Sequence, residues 1–276
     1  MSITVEEIKL PRLASVGKVT QLRVAASEWT KLHSLRSTRW SFLVAIVLTV
    51  GLPSLFAAIT ASHWNHMSLR EQANRHPLDI ALAGVNLSQL AIAVLGVLVI
   101  TGEYSTGMIR ASLAAVPKRL PVLWAKAAIF AVVTFVLMVG PVVAAFFISQ
   151  AILNGHNILQ ISFSANGVTR AVLGGALYLT LIGVFALAVG AIVRNTAGAI
   201  AAFAGLFFVV PPLLNILPQN WNQSISEYMP DSAGRAIFDL HHGLHTLSPA
   251  GGLALFAGYC ALALAVAAVL LVRRDA

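Results

Sequence analysis

Six long apolar stretches constrain this sequence more than any other feature. Each has about the 20 residues that a helix needs to cross the hydrocarbon core of a bilayer, and none contains Asp, Glu, Lys, Arg or His. They cover residues 40–61, 82–101, 127–153, 171–193, 198–217 and 251–272. Membrane β-strands would instead appear as much shorter segments of alternating polarity. The pattern therefore predicts an all-α polytopic membrane protein with six transmembrane helices.

The composition supports this fold class. Only 10% of the residues are charged and 58% are hydrophobic, whereas soluble domains carry about 25% charged residues. A soluble fold leaves much of its surface in water and could not hide so much apolar area. A single bundle in lipid removes that constraint.

The placement of Lys and Arg predicts the orientation of the bundle. Of these 18 residues, 14 fall before the first stretch, after the second, after the fourth or behind the sixth, and 4 fall in the other connections. The positive-inside rule then predicts that both ends are cytoplasmic. The net charge of +8 is largely explained by topology, so nucleic acid is not a favoured partner. Residues 1–39 would be a cytoplasmic segment without the apolar core of a cleavable signal peptide, 40–272 the membrane domain and 273–276 a cytoplasmic tail.

A basic amphipathic helix is predicted just before the first stretch. Its apolar face would comprise Leu22, Ala25, Ala26, Trp29 and Leu32. Its basic residues near the membrane would be Lys31, Arg36 and Arg39. Such a helix suits the surface of the inner leaflet. A simple topology signal explains the charges equally well, but it explains the apolar stripe less well.

The connection after the second stretch is the most informative segment. Glu103 is an acid on the strongly basic side, and it could pair with Arg110 or with a basic residue of the amphipathic helix. Residues 108–116 could form a short amphipathic helix that ends at Pro117. A helix in this position is a natural docking surface for a soluble partner.

Two motifs in these segments carry a resemblance to a known family. The first is EWTKLHSLRSTRW at residues 28–40. The second is Glu103-Tyr104-x-x-Gly107-Met108-Ile109-Arg110, followed by Pro117-Lys118-Arg119 and Lys126. With the six-span layout and the long connection before the last span, the chain resembles the membrane subunit of type-2 ABC exporters (ABC-2), in the bacterial branch where permease and ATPase are separate chains.

The resemblance implies a permease that forms the substrate pathway as a homo- or heterodimer in the bacterial plasma membrane. ATP and Mg²⁺ would bind to a separate cytoplasmic ATPase, and membrane lipids would be further partners. A connecting helix at the inner surface would include Glu28, Trp29, Lys31, Arg36 and Arg39. Coupling to the ATPase would involve Glu103, Tyr104, Gly107, Met108, Ile109 and Arg110.

Several activities are disfavoured by what the sequence lacks. It has no GxxxxGK[ST] loop, which nucleotide hydrolysis by this chain would require, and no arrangement of residues typical of a membrane-embedded enzyme. No carboxylate falls within a predicted span, which weakens the case for an ion-coupled secondary transporter, although backbone carbonyls can also bind sodium. A membrane scaffold or sensor that transports nothing also stays open.

The histidines and the cysteine suggest no strong site. Seven of the eight histidines fall in predicted outer connections, and His241 and His245 have the four-residue spacing of metal ligands on a helix. Without a supporting carboxylate or second motif, metal binding there is not favoured. The single cysteine, Cys260, lies in an apolar stretch and is expected to pack as a buried thiol.

The glycines, the prolines and the longest outer connection add three expectations. Gly183 and Gly190 lie two turns apart, as do Gly198 and Gly205, so each pair could allow another helix to approach closely or could simply reflect the glycine content of membrane helices. Pro53, Pro141 and the adjacent Pro211 and Pro212 would interrupt helices inside the bundle. Ala233, Ile237 and Leu240 have helical spacing and predict a short amphipathic helix that lies at the outer interface or dips into it.

Overall fold

The computed structural model describes residues 21–34, 36–108, 120–158, 160–216, 218–240 and 246–273, and these are helical without strands. The longer helices at the start of the chain are α1 (Gln21–Ser34) and α2 (Arg36–His63), followed by the short α3 (Leu69–Ala73). The next three are α4 (Pro77–Ser105), α5 (Leu120–Asn154) and α6 (Val168–Val193). The remainder are α7 (Thr196–Ala204), α8 (Val210–Leu214), α9 (Gln219–Ser226), α10 (Pro230–Arg235) and α11 (Pro249–Arg273).

Six helices in the described residues are long and apolar enough to cross a membrane, as the sequence predicts. They are α2, α4, α5, α6, the continuous α7–α8 segment and α11. The first three extend beyond the predicted limits because polar and charged residues at their ends remain helical. In α5 the helix begins at Leu120 rather than near 127, with Pro121 in the first turn, where a missing N–H costs nothing.

The helices α4 and α6 form the centre of the bundle. More of their residues are buried than in the other spans, and they touch backbone to backbone. A Cβ atom added at Gly96 would lie 2.3 Å from the carbonyl oxygen of Gly183. Gly190 also faces α4, since a Cβ there would lie 2.7 Å from the side chain of Ile100. The close-approach interpretation is therefore confirmed for Gly183 and Gly190. It is not met at Gly205, where no described atom lies within 4 Å of an added Cβ, or at Gly198, where the nearest atoms belong to Val193 and Asn195, close by in the chain.

Pro53 shapes the contact between α2 and α4. Because proline has no N–H, the carbonyl of Thr49, four residues earlier, loses its helical donor. Gly84 of α4 packs directly here, and a Cβ on it would lie 2.6 Å from the Thr49 oxygen and 2.8 Å from the proline ring. In the fifth span, the adjacent prolines 211 and 212 follow a π-helical turn at Gly205–Val209, the kind of local adjustment that accommodates missing donors.

A buried hydroxyl pair also joins α2 to α4. The Thr49 and Ser88 hydroxyl oxygens are 2.7 Å apart, and Ser88 Oγ donates to the Ala45 carbonyl at 3.1 Å. We expect Thr49→Val to lower the free energy of unfolding by about 0.5–1.5 kcal/mol, because it keeps the shape and removes one interhelical hydrogen bond. A double-mutant cycle with Ser88→Ala can be measured by denaturant titration in mixed micelles. The double variant should lose less stability than the sum of the losses in the two single variants. Strict additivity would contradict the assigned pair.

The long connection before the last span is partly helical and partly inserted into the bundle. The predicted short helix is met only in part by α10, which includes Ala233 but ends at Arg235, before Ile237 and Leu240. Ala233 and Ile237 are buried rather than placed at a water interface. A Cβ on Gly234 would lie 2.3 Å from the ring of Tyr178 in α6, so α10 packs against the interior of the bundle. The Tyr178 hydroxyl in turn donates to Gln89 Oε1 of α4.

Candidate functional site

The helix α1 packs across the start of α5, at the end of the bundle where α2 begins and α4 ends, here called the α1 end. The side of α1 that is buried in protein carries Glu28 and Leu32, one turn apart. Trp29, expected on the apolar face, is 53% exposed. The helix thus presents a carboxylate to the bundle and its tryptophan to the surroundings.

Two carboxylates and two ammonium groups meet beneath α1, and these four side chains are here called the ion cluster. Glu28 Oε1 accepts a hydrogen bond from Lys31 Nζ at 2.7 Å, and Glu28 Oε2 accepts one from Lys126 Nζ. Glu103 Oε1 accepts from Lys31 Nζ and from Lys126 Nζ, each at 2.9 Å. The four formal charges sum to zero, and the cluster ties α1, the end of α4 and the beginning of α5 together.

The ion cluster is mostly shielded from solvent. Glu28 and Lys126 are each 2% exposed and Glu103 is 6% exposed, whereas the side chain of Lys31 is 26% exposed. Burying charges is costly unless each finds partners, and here each carboxylate contacts both ammonium groups. Among the described residues, Glu103 Oε2 is buried without a hydrogen-bond partner. The helices α4 and α5, which flank residues 106–119, are therefore held by the ion cluster. Removing any one of its four charges would leave a buried charge without a full set of partners.

The pKa of Lys31 is raised above its ordinary value of 10.5. Burial alone would lower this pKa, but the hydrogen bonds and charges of Glu28 and Glu103 outweigh the burial and favour the ammonium form. A group whose pKa is raised on folding contributes stability that is fully present below its unfolded pKa. That contribution is lost as the pH rises through the folded pKa.

We therefore expect wild type to be more stable than Lys31→Gln by a constant margin up to about pH 10, with the margin shrinking at higher pH. Lys31→Arg is the matched control, since a guanidinium stays protonated and should keep the margin. Denaturant titration of the purified protein between pH 7 and 11.5 checks this. A margin that stays constant over the whole range would mean that Lys31 acts through packing.

The end of α4 turns sharply immediately after Glu103. The helix stops at Ser105, the hydroxyl of Thr106 donates to the Gly102 carbonyl at 2.8 Å, and Gly107 adopts a left-handed φ of 71°. Glycine takes this conformation without the strain that a Cβ would bring. Met108 is exposed beyond the turn. Ile109 and Arg110, with the predicted helix at 108–116, lie outside the described residues apart from Met108.

Tyr104 connects the turn to the other spans. The guanidinium of Arg194, the residue just after α6, lies 5.2 Å from the centre of the Tyr104 ring, within the range of a cation–π contact. Arg194 Nη2 also donates to the Leu270 carbonyl of α11 at 3.3 Å. The end of α11 therefore lies at the α1 end too, as does the start of α7, where Thr196 donates to Thr101 at 2.8 Å.

The structure brings together some of the predicted residues and leaves others apart. Glu28, Lys31 and Glu103 meet, whereas Arg36 is exposed and outside the ion cluster. Lys31, on the buried side of α1 next to Glu28, is thus the basic residue of the predicted amphipathic helix that pairs with Glu103. The other predicted partner, Arg110, lies outside the described residues. Arg39 Nε donates to the His33 carbonyl at 3.0 Å, which links α2 to α1 instead.

Sequence reasoning missed the role of Lys126, which it placed in the loop ahead of the third span. The residue lies inside α5 and is buried, because two carboxylates compensate its charge. One signal was available. Glu28 and Glu103 are the two acids on the basic side between residues 8 and 274, and a basic residue at the edge of an apolar stretch is a natural partner for them.

No metal centre emerges from the described part of the chain, where no three His, Cys, Asp or Glu side chains are grouped as ligands. His241 and His245 fall outside the described residues. Comparison with known proteins adds no identity: no family model matches the sequence, and no curated protein matches it.

Proposed function

We propose that this chain is the permease subunit of an ABC-2-type exporter, working as a dimer with a separate cytoplasmic ATPase. The observation that carries the proposal is the ion cluster. It fastens both ends of the connection between α4 and α5 to α1, and in the proposed function that connection holds the docking segment for the ATPase.

The mechanical argument starts from the geometry of the connection. A force on residues 106–119 acts on Glu103, two residues before the end of α4, and on Lys126, in the second turn of α5. Both residues bind the same carboxylate–ammonium set on α1. A push on the connection would therefore move the ends of α4 and α5 and the helix α1 together.

ATP binding would close the ATPase pair and supply such a push. The push would shift the equilibrium of the bundle between inward-open and outward-open states. The α1 end is then the cytoplasmic one, in agreement with the excess of Lys and Arg on this side. The outward direction of transport rests on the family resemblance. The low polarity of the spans favours hydrophobic substrates over small ions.

If residues 108–110 dock on the ATPase, changing Met108, Ile109 or Arg110 should weaken the coupling between permease and ATPase. Replacing each with Asp should reduce the substrate-dependent stimulation of the ATPase severalfold while the permease still folds and reaches the membrane. Leu69→Asp is a matched control, because Leu69 is 84% exposed at the opposite end of the bundle. Unchanged stimulation in all three variants would remove the docking assignment.

The decisive experiment is to co-express the chain with its neighbouring genes, purify it in mild detergent and identify the retained proteins by mass spectrometry. A stoichiometric P-loop ATPase, lost when residues 108–110 are altered, supports the proposal. A stable chain without an ATPase, under conditions where a known ABC permease keeps its own, would contradict it and favour a scaffold or an ion-coupled carrier. Flux measurements in vesicles would then separate those two, since only a carrier moves substrate.

A further inference from the structure

An apolar groove lies between α1, α2 and α5, next to the ion cluster but separate from it. Its volume is about 510 Å³. Leu32 and Phe42 are buried at its base, and the exposed side chains on its walls include Trp29, Val132 and Val136. The lining follows α2 from Thr38 to Ile46, and these nine residues span eight helical steps, or about 12 Å at 1.5 Å per residue.

The groove opens to the outside of the bundle at the depth of the spans. Val132 and Val136 are 61% and 67% exposed, and both lie on α5 well beyond the charged residues of the α1 end. Exposed aliphatic side chains at this depth face hydrocarbon in a membrane. The groove therefore suits a flexible, entirely apolar chain.

Polar groups line only the shallow end of the groove. There His33 and Arg39 approach each other, and the Arg39 Nε bond to the His33 carbonyl holds the guanidinium at the rim. No carboxylate lines the groove among the described residues. Glu28, the acid of α1, is engaged by Lys31 and Lys126 in the ion cluster. The rim is thus positive without a neighbouring acid to neutralise it.

We propose that the groove binds one acyl chain of an anionic glycerophospholipid, whose phosphate contacts Arg39. The apolar lining favours the acyl chain of the lipid. The positive charge at one end of the groove favours an anionic headgroup and determines at which end of the groove that headgroup lies. A bound lipid of this kind would fill the space between α1 and the first and third spans. The inference depends on the spans lying in a bilayer and not on the proposed transport function.

Native mass spectrometry tests the proposal on the full chain, purified in detergent and exposed to equal amounts of phosphatidylglycerol and phosphatidylcholine. The wild type should retain one phosphatidylglycerol per chain, favoured about tenfold, the scale of one charge-assisted contact. Arg39→Gln should abolish the preference. Val136→Trp should fill the groove and lose both lipids.

Leu262→Trp is the matched control, because Leu262 is 63% exposed on α11 and does not line the groove. It should retain lipid as the wild type does, and its monodispersity and circular dichroism show whether an added surface tryptophan is tolerated.

Equal lipid retention in Val136→Trp and Leu262→Trp would overturn the groove site, as would a wild type without bound lipid. A preference that survives Arg39→Gln would overturn the headgroup contact. A changed dimer fraction in Val136→Trp, with lipid retention as in the wild type, would assign the groove to a second copy of the chain instead.

Discussion

Replacing Lys126 with Met should lower the free energy of unfolding by about 3–5 kcal/mol, the usual cost of removing one partner from a buried ion pair. Lys126 is 2% exposed and contacts both Glu28 and Glu103. Without it, two buried carboxylates share the single ammonium of Lys31, and the ion cluster acquires a net negative charge. Denaturant titration in mixed micelles measures the change.

Two further variants separate lost charge from lost packing. Glu103→Gln combined with Lys126→Met returns the ion cluster to neutrality and should recover most of the lost stability. Lys31→Met leaves the same excess charge as Lys126→Met but at a side chain that is 26% exposed, where water can stabilise the carboxylates, so its effect should be smaller. If the double variant is no more stable than Lys126→Met alone, the ion cluster is not the reason for the loss.

The six spans could be predicted from the sequence because apolar length is a local property. A stretch such as 171–193 has nowhere to lie except a membrane or a large core, whatever its neighbours do. The limits were less predictable. Charged residues usually mark the end of a span, so Lys126 was placed in a loop although it lies inside α5, and Arg36 was placed in the amphipathic helix although it begins α2.

The ion cluster shows which part of the site could not be predicted. The spacing of Glu28 and Lys31 is visible in the sequence, but Lys126 lies 98 residues from Glu28 and Glu103 lies 72 from Lys31. Such pairing depends on how α1 turns back onto α5, and no local pattern encodes that turn. Which basic residue pairs with Glu103 depends on which side of α1 faces the bundle. Its apolar stripe misled here, because Trp29 faces outward.

Close helix packing was only half predicted. The two-turn spacing of Gly183 and Gly190 indicated a smooth face on α6, but the sequence could not say which helix approaches it. The partner is α4, and its contact residue is Gly96, an isolated glycine within an apolar stretch. Its importance comes from the partner atom, a backbone carbonyl that cannot rotate away as a side chain can.

Gly96→Ala should therefore destabilise the bundle by about 1–3 kcal/mol, and Gly96→Val by more. The added Cβ would lie 2.3 Å from the Gly183 oxygen and 3.2 Å from the Leu187 nitrogen, both backbone atoms, so α4 and α6 must separate along their central contact. Gly183→Ala should cost less, because its nearest obstacle is the ring of Phe130, a side chain at 2.6 Å that can shift.

Gly140→Ala in α5 is the matched control for this prediction, since nothing lies within 4 Å of a Cβ there. Alanine is the better helix former, so this variant should be neutral or more stable by up to about 1 kcal/mol. Denaturant titrations of the Gly96, Gly183 and Gly140 variants under one set of conditions make the comparison. If Gly96→Ala is as stable as Gly140→Ala, α4 and α6 can separate without a loss of stability. The contact between α4 and α6 would then not be the rigid centre of the bundle.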